Sequence, residues 1–464
     1  MAFDLVVRNG TIVTAADTFR GDIGVVDGRV AVLGTALGRA EREIDATDLL
    51  VMPGGVDAHC HIDEPPYRGA TVADDFASAT RAAACGGTTT IVPFANQIAG
   101  LSLHGAVEDY HLRARDKALI DYAFHIILSD VSQALIGQEI PPLIAAGYRS
   151  FKVFMTYPGY MLDDEKIMHV MDATRRHGGT TMVHAENGHC VHWLTQRLES
   201  EGRFGLDAFA ESAPDAVERE ATHRAITLAE LTGARVMLVH VSSAQALEQI
   251  EWARDRGLPV IAETCPQYLV DNADKLDQPG WEAAKYMCSP PPRGKDNAER
   301  LWSGVTLGAF QLLSSDHCPY RFDGTDGKRA HGAEPHFRHV PPGVPGIETR
   351  MALLYDAGVL RGRLSAQQFV ALTATNPART YGLYPRKGTL APGADADIVL
   401  WDARHPVGIK HENLHDACDY TPFEGRIVGA WPIMTLSRGE TIWNRGWISD
   451  QYGRGQFLPQ GAHG

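Results

Sequence analysis

Residues 51–63 read VMPGGVDAHCHID, and the rest of the chain is organised around them. The apolar run Leu49–Met52 is broken by Pro53-Gly54-Gly55, and Asp57, His59 and His61 then follow at alternate positions. On a strand, alternate side chains point to one face. Two imidazoles and a carboxylate therefore converge where a buried strand ends. Imidazole is the commonest side-chain metal ligand, and a His-x-His pair can grip one ion from an extended backbone. The same alternation turns Cys60 away from such an ion, as a small packing residue. With 20 histidines in the chain, two in a loop by coincidence is the plain alternative, and the rest of the sequence has to decide.

From about residue 55 to 384, short apolar strands alternate with amphipathic helical stretches. Strands are expected near 51–56, 88–93, 121–128, 150–155, 180–184, 235–240, 259–263 and 311–315, with helices over Ala73–Cys85, Asp164–His177, Ala216–Thr232 and Ala244–Gly257 among them. Eight strand–helix units of this kind predict a (β/α)8 TIM-like barrel. A doubly wound open sheet is the alternative, weakened because no Gly-x-Gly-x-x-Gly follows an early strand. Residues 3–34 have a different texture, with Asn9-Gly10 and Asp27-Gly28 as hairpin signals. Short strands return after about 385, at Asp397–Trp401, Arg426–Val428 and Thr441–Trp443, with Arg438-Gly439 as a turn. The organisation expected is a small β-sandwich built from both termini (1–54 and 385–464) around a barrel (55–384), with the last dozen residues as a loose tail or an arm on a neighbouring subunit.

Composition narrows the class. Hydrophobic residues make up 44% and charged residues 22%, which suits a soluble globular chain, and no apolar run is long enough to span a membrane. The formal net charge is −14 with no basic run to track a phosphate backbone, so nucleic acid is not an expected partner. MAFDLVVRNG lacks the layout of a signal peptide, and seven cysteines without a Cys-x-x-Cys suit free thiols in a reducing cytoplasm.

In a barrel of this type the active site lies at the C-terminal ends of the strands. His59 and His61 end strand one, Lys152 lies on strand four, His184 ends strand five, His240 ends strand six, and Asp316 follows strand eight. Four histidines and a carboxylate exceed the needs of one tetrahedral ion, whereas two ions about 3.5–4 Å apart would use them. Two ions require a bridge. A neutral lysine can add CO2 and become a carbamate with two oxygens, which is the reading favoured for Lys152; a rim lysine paired with a carboxylate is the alternative.

The segments GGVDAHCHIDEP, SFKVFMTYPG, MVHAENG, LVHVSS, AETCPQYL, CSPPPR, LSSDHCPY and NPARTYGLYPRKGTLAPGADADIVLWD, in this order between about residues 4 and 440, resemble the cyclic amidohydrolases, and most closely the hydantoinase/dihydropyrimidinase group. The resemblance implies a distorted (β/α)8 barrel with a terminal β-sandwich. It also implies two divalent ions, zinc above all with manganese or cobalt as alternatives, bridged by N6-carboxylysine and hydroxide. One ion takes His59, His61, Lys152 and Asp316; the other takes Lys152, His184 and His240. By the same resemblance Asp316 is the base, Tyr157 hydrogen-bonds the oxyanion, and Ser289 holds the substrate's cyclic amide through backbone atoms. The implied reaction is hydroxide attack on a ring amide carbonyl of a dihydropyrimidine, a 5-substituted hydantoin or a related ureide or imide, in a homo-oligomer that relatives commonly form as a tetramer.

Two departures bear on specificity. Where the family's substrate-holding segment often reads Pro-Asn-Gly-x-Pro-Gly, this chain has Pro341-Pro342-Gly343-Val344-Pro345-Gly346, and Pro342 has no N–H to donate. Asp63 replaces the arginine of the His-x-His-x-Arg pattern typical of dihydroorotase, which places that activity low. Arg68, in the first loop, reads as a solvated arginine ahead of a partner for an acidic substituent. Allantoinase-like and cyclic-imide activities remain open, as does a non-catalytic scaffold protein, although scaffold relatives have lost metal ligands that are all present here.

Overall fold

The computed structural model describes residues 2–462. Gly55–Cys60, Thr88–Asn96, His125–Ile127, Ser150–Phe154, Thr180–His184, Val236–Leu238, Val260–Thr264 and Leu312–Leu313 pair side by side in chain order, all parallel. The expected strand over 121–128 is interrupted; Asp121–Tyr122 pairs with the second strand and, through Tyr122, with Phe457 near the C-terminus. These strands are wholly buried, as parallel strands covered on both faces must be. The barrel closes where the chain after strand eight meets strand one: Asp316 N donates to His59 O at 3.0 Å and His61 N to His317 O at 2.7 Å. Arg350, fully buried, spans this seam by donating to Leu313 O at 2.9 Å and Val56 O at 3.4 Å. Asp57 belongs to the same seam, accepting from Ser315 N at 3.0 Å, and is structural.

Val56, Val92, Phe94, Met182, Met237 and Leu312 fill the barrel interior, with Tyr381 and Leu458 packed into the same cluster. The outer helices start and stop where their caps dictate. Phe76–Cys85 begins at Asp75, whose carboxylate accepts from Ala77 N and Ser78 N in a capping box. Asp164–His177 and Asp215–Thr232 end at Gly178 and Gly233, both left-handed. No helix among the described residues is long and apolar enough to cross a membrane.

Both ends of the chain contribute to one nine-stranded sheet. Leu50–Pro53 pairs antiparallel with Ile398–Asp402, and around this junction Leu5, Val7, Ile23, Val51, Ile398, Leu400 and Leu436 share one core. Three expectations need correction. The apolar stretch 51–56 is not one strand: Leu50–Pro53 serves the terminal sheet and Gly55–Cys60 the barrel. Gly54 stands between them, where a Cβ would fall 1.9 Å from Thr89 Oγ1. Asn9-Gly10 is not a hairpin turn. Phe3–Val13 runs through it with a bulge, because Gly10 packs under Val51 and Asn9, at φ 61°, donates its N–H to Asp22. Asp27-Gly28 and Arg438-Gly439, both with positive φ throughout, are the hairpin turns expected. The C-terminal segment is neither loose nor reaching outward. Gly455 N bonds Ala118 O, Leu458 N bonds Tyr122 O, and Phe457 stacks on Tyr148, so it seals the N-terminal end of this same barrel.

Candidate metal centre

The expected residues meet at one mouth of the barrel. His59 Nε2 and His61 Nε2 stand 3.2 and 3.4 Å from the same oxygen of Asp316, and the three ligand atoms lie within 4.8 Å of one another. The His240 ring is 5.3 Å from that of His59 and 4.4 Å from that of His184, centroid to centroid. Lys152, His61, His184, His240, Asp316, Tyr157, Ser289 and Pro342 all line one cavity of about 90 Å3. All nine residues singled out in the sequence are therefore at the site, since His59 touches Asp316 from behind this wall.

The far side of each ring explains its orientation. His59 Nδ1 is bound by the Glu263 carboxylate, His61 Nδ1 lies 2.7 Å from Glu64, and His184 Nε2 lies 2.7 Å from Glu186. A carboxylate on one ring nitrogen fixes the tautomer and leaves the other nitrogen as a lone-pair donor. His59 Nε2 and His240 Nδ1 are buried without a hydrogen-bond partner among the described residues, which a folded protein avoids unless something else satisfies them. Burial, with Lys152 and neighbouring imidazoles, pushes His59 and His240 well below the usual histidine range, into the neutral form that binds metal. At His61 burial works against protonation, but the Glu64 and Asp316 carboxylates outweigh it and raise the group to about 9. Carboxylates that draw a proton there would draw a cation. On these observations the residues fit a divalent metal.

Lys152 is buried, with its Nζ 5.2 Å from the ring centres of Phe94 and Phe154. Burial lowers it to about 8 against the pull of Asp316 and Glu263. Burial raises Glu263 to about 8 and the Tyr157 hydroxyl well above its ordinary value. Tyr157, His240 and Asp316 have φ of 71°, 38° and 49°, left-handed conformations that side-chain-bearing residues rarely adopt and that cluster at functional sites.

Two backbone segments form the opposite wall. Ser289, in the lining of the cavity, donates its hydroxyl to Glu186 at 3.0 Å. Gly343 N bonds Met287 O at 2.8 Å, and the buried Lys328 ammonium donates to Met287 O at 3.1 Å and Pro341 O at 3.3 Å, tying the Ser289 and Pro342 segments together. His125 and His317 are held as packing residues: His125 between Ser150 Oγ and Ala58 O, His317 between Asp74 and Gly346 N. Sequence reasoning missed Glu263 and Lys328, and saw Glu186 only as a residue after strand five with no catalytic role. Glu263 could have been found, as a charged residue at the end of the otherwise apolar strand VIAET; nothing local marks Lys328.

The model of the amidohydrolase family matches residues 50–442. The chain belongs to the amidohydrolase family. Members similar over nearly the whole chain include the D-hydantoinase of Ralstonia pickettii, 42% identical over 98% of both chains, and a D-phenylhydantoinase of Escherichia coli, 38% identical over 98% of this chain and 97% of the other. The crystal structure of dihydropyrimidinase from Brevibacillus agri superposes with a TM-score of 0.96 at 40% identity, covering 99% of both chains. An L-hydantoinase (dihydropyrimidinase) from Arthrobacter aurescens superposes at 0.87 with 28% identity, over 99% of this chain and all of the other. Membership in the amidohydrolases implies a divalent metal centre, and His59, His61 and Asp316 are the group placed for it.

Proposed function

We propose that this protein is a metal-dependent hydrolase that opens a cyclic amide, with 5-substituted hydantoins and dihydropyrimidines as its substrate class. The observation that carries the reading is the buried group of His59, His61 and Asp316 at the barrel mouth, with unpartnered nitrogens on His59 and His240, beside a cavity lined by Lys152, Ser289 and Pro342. His59, His61 and Asp316 would hold one ion and His184 and His240 a second, with Lys152 shared between them. Zinc suits this nitrogen and oxygen set; manganese and cobalt are alternatives. When bound, such a pair supplies Lewis acidity and a water acidified to near neutrality.

Each residue then has a definable task. Lys152, lowered to about 8, has a share of free amine at neutral pH, and only the free amine can take up CO2 as N6-carboxylysine. Asp316 is placed to take the proton from the attacking water and return it to the departing ring nitrogen. Tyr157, kept protonated by burial, donates to the carbonyl oxygen as negative charge grows there. The Ser289 main chain and the Pro342 carbonyl hold the ring amide. Because Pro342 cannot donate, a ring oxygen facing it gains no hydrogen bond there. Allantoin and simple cyclic imides therefore belong in the comparison. Assembly as a homotetramer, the division into a β-sandwich (1–54 and 385–464) and a barrel (55–384), and a reducing compartment for the free cysteines are part of the same proposal.

The test is a hydrolysis panel of hydantoin, 5-phenylhydantoin, dihydrouracil, succinimide and allantoin on zinc-loaded and chelated protein. The proposal expects ring opening of a hydantoin or dihydropyrimidine that is lost on chelation and regained with zinc. Turnover unaffected by chelation, or no ring opened by the loaded protein, overturns it.

A further inference from the structure

Outside the barrel mouth, one other group among the described residues brings three metal-binding side chains together. Cys85, Glu348 and His415 each offer a ligand atom, and the three atoms lie within 4.8 Å of one another, the same closeness that His59, His61 and Asp316 show. They come from distant parts of the chain. Cys85 is the last residue of the helix Phe76–Cys85, Glu348 precedes the helix Arg350–Leu354, and His415 belongs to the stretch between the strands Ile398–Asp402 and Trp431–Ser437. A thiol, an imidazole and a carboxylate are the ligand types that zinc and its close relatives accept.

Backbone contacts hold the three in place before any ion arrives. Arg81, on the same helix as Cys85, donates to His415 O at 3.0 and 2.7 Å. His415 N donates to one Glu348 oxygen at 2.8 Å, and its Nδ1 stands 2.9 Å from the other. Gly86 is pressed so closely on the Glu348 main chain that a Cβ there would fall 2.3 Å from Glu348 O. Ligands fixed in this way cost little further ordering on binding. The site is also short of positive charge. Burial raises the Cys85 thiol well above its ordinary value and lifts Glu348 to about 7, while the hydrogen bond to Glu348 raises His415. Of the other charged groups around it, Arg81 works against a cation and Asp416 for one. A divalent ion would form a neutral set with the thiolate and the carboxylate. The His415 side chain is 24% exposed, which gives an ion a way in and leaves a fourth position for water.

We propose that Cys85, Glu348 and His415 bind a single zinc-class divalent ion, apart from the barrel centre, with water in the fourth position. Only three protein ligands hold it, and the thiol and the proton shared by Glu348 and His415 must be given up on binding. It is therefore the weaker site, filled by metal in excess of the barrel centre's pair. The assignment stands whether or not a cyclic amide is the substrate. Its thiolate supplies a signature that the nitrogen and oxygen ligands of the barrel centre cannot produce. The experiment titrates cobalt(II) into the full chain, already loaded with zinc and freed of excess, and follows the thiolate-to-cobalt charge-transfer absorption in the near ultraviolet. In wild type the band is expected to saturate at about one equivalent of cobalt. Cys85→Ala should lack the band while keeping its bound zinc, and His415→Gln should need about a hundredfold more cobalt. Cys318→Ala, which removes the thiol bordering the reaction cavity, should keep the band. No band in wild type, a band that persists in Cys85→Ala or is lost in Cys318→Ala, or unchanged cobalt affinity in His415→Gln overturns the assignment.

Discussion

Replacing Glu263 by glutamine alters the metal centre without touching a ligand. Glu263 Oε1 binds His59 Nδ1 and accepts from His240 N at 3.3 Å, while Oε2 accepts from Ser314 Oγ at 2.8 Å. A glutamine keeps the shape and one acceptor oxygen for the first two donors, and the Ser314 hydroxyl can turn to accept from the new amide. What is lost is the difference between an ionised and a neutral acceptor, about 1–1.5 kcal/mol, or close to tenfold in metal affinity. Glu263→Ala strands His59 Nδ1 in a dry site and should approach about a hundredfold. The pH dependence gives a sharper readout. Burial raises Glu263 to about 8 in the metal-free chain, so below that pH metal binding must also expel its proton. Wild-type affinity should therefore climb more steeply between about pH 6 and 8 than that of Glu263→Gln, by up to about tenfold per unit. Competition with a chromophoric zinc chelator across this range measures both effects, with circular dichroism confirming the fold. If Glu263→Gln binds zinc as tightly as wild type, with the same pH slope, then Glu263 does not set the His59 tautomer and the orientation argument fails.

Other outcomes follow from the same geometry. Lys152→Ala should lose metal and turnover together, with partial recovery by a short carboxylic acid; metal analysis and hydantoin hydrolysis check it, and full activity without added acid would contradict it. Tyr157→Phe should retain metal and lower kcat by about a hundredfold or more, as removal of one oxyanion donor does; an unchanged kcat would return Tyr157 to a packing role. Lys328 is lowered from 10.5 to about 8 by burial, so between those values the unfolded chain holds a proton that the folded chain has released. Its contribution to stability thus rises with pH across that window, by up to about 3 kcal/mol, and a denaturant titration of Lys328→Met should lack this increment. Leu458→Ala removes a buried side chain where the C-terminal segment plugs the barrel and should cost about 2–4 kcal/mol, read as a lowered Tm.

The barrel was legible because its parallel strands are short apolar runs ended by polar residues, and because catalytic groups in this architecture collect at one end. His59, His61, Lys152, His184, His240 and Asp316 could be found by asking which strands end in a metal-binding group. The partners that orient them could not. Glu263 acts through a contact with His59, 204 residues away in the chain, and Lys328 joins two backbone carbonyls that only tertiary packing brings together, whereas Glu186 stands two residues from His184 and only the pairing of their side chains was hidden. Local signals also misled where long-range packing prevailed. Asn9-Gly10 has hairpin composition but serves as a bulge under Val51, and the Gly- and Gln-rich end reads as tail although its Phe457 and Leu458 are plugs.

The central claim is a paired-ion centre bridged through residue 152, and zinc content per chain after loading in bicarbonate buffer tests it most directly. The account predicts about two equivalents for wild type and a loss of both in Lys152→Ala. Two equivalents retained by the alanine variant, or none bound by wild type, would contradict it.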